Sequence, residues 1–159
     1  GYYGDHAKTF IVGNTSLEKS KLISSTNRCL ELGIEQAKVG NTIGDIGYAI
    51  QSFAELNRYS VVRDFCGHGI GKVVHDSPNI LHYGEPGTGI KLVEGMLFTV
   101  EPMINLGKFD IRMLGDGWTA VTKDKSLSAQ FEHTVGVTKD GVTIFTASPE
   151  GLDQPPYSI

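Results

Sequence analysis

Phe98-Thr99-Val100-Glu101-Pro102-Met103-Ile104 alternates apolar and polar side chains with the period of a strand, and Gln130-Phe131-Glu132-His133-Thr134-Val135 does the same further on. In the first stretch Phe98, Val100 and Ile104 share one face and Thr99, Glu101 and Met103 the other. In the second, Phe131 and Val135 oppose Gln130, Glu132 and Thr134. Each strand therefore carries a glutamate on the face away from its apolar residues. A glutamate so placed is ordinarily solvated. If the face lines a cleft instead, each buried carboxylate needs a cation or hydrogen bonds to offset the loss of water.

Working outward, short β-branched and aromatic runs separated by Gly, Pro, Asn and Asp predict strands at 60–63, 96–104, 118–122, 129–138 and 142–145. Asp140-Gly141 reads as a tight hairpin turn between the last two. Upstream the period changes. Thr15 and Glu18 have capping-box spacing before an apolar series of Leu17, Ile23, Leu30, Ile34 and Ala37, with Gly40 placed to end the helix. Thr42 and Asp45 repeat the spacing before Ile43, Ile46, Ile50, Phe53 and Ala54. Thr9-Phe10-Ile11-Val12 reads as one further strand. A helix pair followed by strand runs predicts an α+β fold, an antiparallel sheet with helices on one face.

The 159 residues are 40% hydrophobic and 20% charged, which suits one compact domain over residues 1–147. Residues 148–159, with three prolines, read as a loose extension. A net charge of -4 without a Lys/Arg cluster gives no footprint for nucleic acid or an anionic membrane. No stretch has the length of a membrane-spanning helix. Cys29 and Cys66 lack metal-finger or CxxC spacing and suit a reducing compartment. Gly1-Tyr2-Tyr3-Gly4-Asp5 leads straight into strand-like sequence, which reads as the middle of a longer structure.

Cys66-Gly67-His68-Gly69-Ile70-Gly71 sets three glycines around one histidine, removing side-chain bulk beside the imidazole. It has neither the strand–GxGxxG–helix context of a dinucleotide loop nor the lysine of a P-loop. His75 follows Val73 and Val74 and, taken alone, reads as a packed or turn histidine.

Taken in order, Gly4-Asp5 with TFIVG, CGHGIG with His75, LVEGMLFTVEPM, GWT and SAQFEHT resemble the signature of type I methionine aminopeptidases. The resemblance runs to about Thr146. It implies the pita-bread fold, a curved antiparallel sheet with helices outside, here lacking its N-terminal part. It also implies a methionyl aminopeptidase that removes the N-terminal methionine of nascent polypeptides using water activated between two divalent metals. The implied metal ligands are Asp5, His68, Glu101 and Glu132. Carboxylates with one imidazole suit Co, Mn, Fe or Zn. Glu101 would also shuttle the proton, His75 would donate a hydrogen bond to the substrate, and Met103 and Trp118 would stand at the substrate pocket. The resemblance further implies a cytoplasmic monomer working on chains emerging from the ribosome.

Three positions depart from the family pattern. A fifth ligand, the family's first aspartate, falls before Gly1. His6 replaces a residue that is usually small, and Val74 stands where relatives often carry an aromatic pocket residue. Other pita-bread peptidases, such as Xaa-Pro aminopeptidases, share the glycine-histidine run but differ at the EPM and AQFEHT flanks. A non-catalytic pita-bread binding module would have replaced its ligands.

Overall fold

A computed structural model describes residues 1–148. Two helices, α1 (Leu17–Glu35) and α2 (Ile43–Leu56), lie against antiparallel sheet structure. The strands are β1 (His6–Ala7), β2 (Ser60–Val61), β3 (Gly67–Gly69), β4 (Asp76–Ile80), β5 (Leu97–Val100), β6 (Met103–Asn105), β7 (Ile111–Met113), β8 (Ala120–Thr122), β9 (Ser128–Gln130), β10 (Glu132–Thr138) and β11 (Gly141–Ile144). The main sheet runs β1-β10-β5-β3-β4, and β11 continues along the edge of β10 beyond β1. Strands β2, β6 and β9 form a second sheet, and β7 and β8 a hairpin.

The caps follow the sequence closely at α2 and less so at α1. Asp45 accepts the Thr42 amide and hydroxyl at 2.7 and 2.8 Å, closing the box at the start of α2. At α1 the cap is Ser16 rather than Thr15, its hydroxyl accepting the Lys19 amide at 3.4 Å. The buried stripe of α1 is Leu22, Cys29, Leu30 and Ile34, and Leu17 is exposed. The helix ends at Glu35 with Gln36 as its cap, before Gly40. Against this stripe pack Ile46 and Ile50 of α2 and Val100, Ile104 and Val135 of the sheets, forming one apolar core.

The long strands expected at 96–104 and 129–138 are each broken once. Chain continuity passes from β5 to β6 across Glu101-Pro102, where Pro102 has no amide to donate, and from β9 to β10 across Phe131. Each break hands the chain from one sheet to the other. Thr9-Phe10-Ile11-Val12 is not a strand; pairing occurs earlier, at His6 and Ala7. The strand expected from 118 begins at Ala120, because Asp116 accepts the amides of Trp118 and Thr119 and closes a turn there. The Asp140-Gly141 hairpin forms, with Thr138 facing Gly141. Of the expected extension, residues 149–159 lie outside the described residues.

Candidate metal centre

The two breaks put Glu101 at the C-terminal end of β5 and Glu132 at the first position of β10. These are antiparallel neighbours in register, with His133 opposite Val100 and Thr134 opposite Thr99. Both carboxylates therefore emerge at the same end of the ladder. On the other side of β5, β3 brings His68 in. Its flanking glycines are required by that approach. A Cβ on Gly67 would collide with the carbonyl of Thr99, and one on Gly69 with the carbonyl of Ser77. Asp5 arrives from the opposite edge, just ahead of β1. The Thr134 hydroxyl accepts the Asp5 amide at 2.8 Å and donates to the Asp5 carbonyl at 2.9 Å.

Asp5, His68, Glu101 and Glu132 thus meet although they are scattered through the chain. One potential ligand atom from each of His68, Glu101 and Glu132 lies within 4.8 Å of the others, and the same holds for Asp5, His68 and His75. His68 belongs to both groups. Its side chain is 11% exposed, and Nε2 stands 3.5 Å from Glu101 Oε1 and 3.9 Å from Asp5 Oδ2. Nδ1 lies 3.0 Å from the carbonyl of Gly69, which can only accept, so Nδ1 carries a proton and, in the neutral ring, Nε2 presents a lone pair. That lone pair faces carboxylate oxygens. Acceptor against acceptor is unfavourable until a cation lies between them.

The electrostatics of the carboxylates agree. Glu132 is 6% exposed, and burial first, then Glu101 and Asp5, push its carboxyl up to about 8. Burial also raises Glu101, opposed by the Thr99 hydroxyl and His68 and assisted by Asp5. Among the described residues, His68 is the one basic side chain within ion-pair distance of Asp5 and Glu101, and as a neutral ring it brings them no positive charge. Three carboxylates and one imidazole lone pair form a donor set suited to divalent ions of the Mn-to-Zn series. The residues present fit such ions.

The other expected site residues are placed as follows. His75 is exposed, its ring edge-on to His68 with centroids 4.5 Å apart, at the open side of the cluster. Met103 lines a cavity of about 510 Å³ with Val62, Phe65 and residues of the β7–β8 hairpin; the four clustered side chains do not line it. Trp118 is 87% exposed at the tip of that hairpin and does not line the cavity either. Cys66 is half-buried, and burial together with nearby Glu101 raises its thiol, which keeps it protonated. His6 stacks on His133, with centroids 4.7 Å apart.

Several supporting residues were not singled out from sequence. The Thr99 hydroxyl donates to Glu101 Oε1 at 2.8 Å and accepts the His68 amide at 3.0 Å, so one side chain holds two of the clustered residues. Its position two before Glu101 on the same strand face was the available signal, as was that of Thr134 two after Glu132. His82, 2% exposed, accepts the Glu101 amide on Nε2 at 3.1 Å, and burial pushes its pKa down to about 3. Lying in the apolar-looking Ile80-Leu81-His82-Tyr83, it gave no signal.

Comparison with known proteins adds ancestry to this geometry. The chain is 59% identical over 158 residues to the methionine aminopeptidase of Rickettsia prowazekii, covering 99% of this chain and 61% of that protein. It is 48% identical over 146 residues to the Escherichia coli K12 methionine aminopeptidase, covering 92% of this chain and 55% of that protein. The chain therefore spans little more than half the length of these relatives. The crystal structure of the Rickettsia prowazekii methionine aminopeptidase superposes with a TM-score of 0.90 at 57% identity, over 92% of this chain and 59% of that one. The Thermotoga maritima methionine aminopeptidase gives the same TM-score and coverage at 42% identity. This chain shares the pita-bread fold of these neighbours, its own part being a curled antiparallel sheet with two helices. The profile of metallopeptidase family M24 matches residues 1–139, and with that match and this cluster the chain belongs to metallopeptidase family M24.

Proposed function

We propose that the protein is a methionyl aminopeptidase, removing N-terminal methionine from nascent polypeptides in the cytoplasm with two divalent ions held by Asp5, His68, Glu101 and Glu132. The observation that carries this reading is the His68 Nε2 lone pair, aimed at carboxylates within 3.5–3.9 Å. The names of the relatives supply the substrate: proteins 48–59% identical over nearly all of this chain are methionine aminopeptidases.

When bound, a pair of divalent ions supplies Lewis acidity and makes water acidic enough to act as a nucleophile near neutral pH. The chain's residues do the rest. Glu101 takes the proton released by the attacking water and returns it to the leaving amine. His75, exposed at the open side of the cluster and in ring contact with His68, donates a hydrogen bond to the scissile region as charge develops. Met103, through the cavity it lines beside the β7–β8 hairpin, borders the methionine side chain, whereas Trp118, exposed at the hairpin tip, stands off that cavity. Thr99 holds Glu101 and His68 at fixed separation while the proton moves.

The test is release of methionine from methionyl peptides by the protein stripped with EDTA and reloaded separately with Mn, Fe, Co or Zn. Metal-dependent release is expected, and Glu132→Ala should abolish it while the far-UV circular dichroism stays that of the parent. Cleavage confined to peptides with proline in the second position would replace this reading with that of an Xaa-Pro aminopeptidase.

A further inference from the structure

Glu101 stands where the main sheet ends. Strand β5 pairs with β10 through Val100, and the next residue after Glu101 is Pro102, so the Glu101 amide has no partner in the ladder. An amide left unpaired at such a place is unfavourable and lets the chain shift to find an acceptor. The acceptor present is His82, which follows β4, is almost fully buried and lies 3.1 Å away through Nε2. An amide can only donate, so Nε2 is the lone-pair nitrogen of a neutral ring. That nitrogen is committed to the backbone, and His82 is in neither group of potential metal-ligand side chains.

We infer that His82 is a positioning residue for Glu101, fixing the backbone from which the Glu101 carboxylate is presented to the metal cluster. Thr99 and Gln130 act on the carboxylate itself, at 2.8 and 3.4 Å, and set its rotation. His82 sets its origin. With the amide anchored on one side and the carboxylate held by Thr99 on the other, Glu101 is fixed before any ion or substrate arrives. A carboxylate displaced by a fraction of an ångström loses its place opposite His68 Nε2, now 3.5 Å away. Removing partners of this kind elsewhere weakens metal binding by about 10–100-fold.

The inference rests on the metal-site reading above, and its test separates the two. Mn²⁺ affinity of the full protein is measured by calorimetry for the parent, His82→Leu, His82→Gln and, as a packing control in β4, Ile80→Val. Amide hydrogen exchange at Glu101 is followed in EDTA. His82→Leu should weaken Mn²⁺ binding by ~10–100-fold and speed exchange at Glu101, while His82→Gln, which keeps an acceptor, restores most of both. Ile80→Val should lower the unfolding temperature with affinity unchanged. Parent-like affinity in His82→Leu overturns the inference, as does a loss in His82→Gln equal to that in His82→Leu. If the leucine variant does not fold, His82→Gln decides: near-parent affinity and exchange support the inference, and a tenfold loss of affinity overturns it. A parent protein that binds no Mn²⁺ overturns the metal reading and this inference with it, whereas a parent that binds beside an unaffected His82→Leu overturns this inference alone.

Discussion

Replacing Glu132 by glutamine tests whether the cluster is a set of mutually repelling carboxylates awaiting a cation. In the folded protein without divalent ions, burial and the charges of Glu101 and Asp5 bring the Glu132 carboxyl to about 8, against an ordinary value of 4.5. A folded-state pKa above the unfolded value means that the folded state holds its proton longer. Its stabilising contribution is therefore complete below pH 4.5 and is lost as the pH rises through 8. The full shift corresponds to a ceiling of ~5 kcal/mol. Solvent on the open side of the cleft, where Asp5 is 37% exposed, screens these charges and leaves about 2–3 kcal/mol. Glutamine resembles the protonated glutamate and carries no charge at any pH. Glu132→Gln should thus match the parent near pH 4.5 and exceed it by about 2–3 kcal/mol above pH 8, or about 5–10 °C in unfolding temperature for a chain of this size.

Urea unfolding in EDTA between pH 4.5 and 9 measures this, followed by far-UV circular dichroism because the single tryptophan, Trp118, is too exposed to report on the core. The same titration with Mn²⁺ completes it. An ion at a hundredfold its dissociation constant stabilises the parent by about 2.7 kcal/mol and flattens its pH dependence, and Glu132→Gln should gain little. Equal pH slopes for parent and Glu132→Gln in EDTA would refute the reasoning, since the buried negative charge would then lack the stated cost.

Further outcomes follow from single contacts. His75→Ala should lower turnover on methionyl peptides by about two to three orders of magnitude with metal stoichiometry unchanged, checked by steady-state kinetics and metal analysis on one preparation; loss of metal would make His75 a ligand instead. Thr99→Val leaves the buried His68 amide without its acceptor and frees the Glu101 carboxylate, so unfolding should show a loss of about 1–3 kcal/mol and calorimetry a weaker site for Mn²⁺. Gly69→Ala forces a methyl group onto the Ser77 carbonyl and should cost on the order of 1–3 kcal/mol in denaturant unfolding, whereas Gly115→Ala, with open space at its Cβ, should cost little.

Helix positions were legible because local chemistry decides them. The Thr42/Asp45 box forms where the spacing placed it, and the apolar stripe of α2 faces the core. The strand breaks were not legible in the same way. Alternation continues unbroken through Glu101-Pro102 and through Phe131, since period-two patterning records which face a residue takes and not which sheet its strand joins. The α1 cap shows a similar limit. Thr15 and Ser16 are both good caps, and the choice between them falls to the stripe that meets α2 and the sheets, which runs through Leu22, Cys29 and Leu30 rather than Leu17.

At the site, the readable residues were those whose chemistry is unusual for their place: two glutamates on strands, and a histidine between glycines. Their partners are ordinary residues. Thr99 and Thr134 read as common strand formers, and His82 as part of an apolar run. Their importance comes from cross-strand register and from a contact between the end of β4 and the end of β5, both long-range consequences of folding. Even so, the register makes the arrangement economical to explain. Thr99 and Thr134 are directly opposed in the β5–β10 ladder, and each hydroxyl both donates and accepts. One ties Glu101 to His68 and the other ties Asp5 to β10, so the same pair of strands that presents Glu101 and Glu132 also fixes the two residues arriving from either side. A shift of one residue in this pairing would turn Glu101 or Glu132 toward the core and separate the threonines together, so the positions of all four clustered side chains depend on a single register.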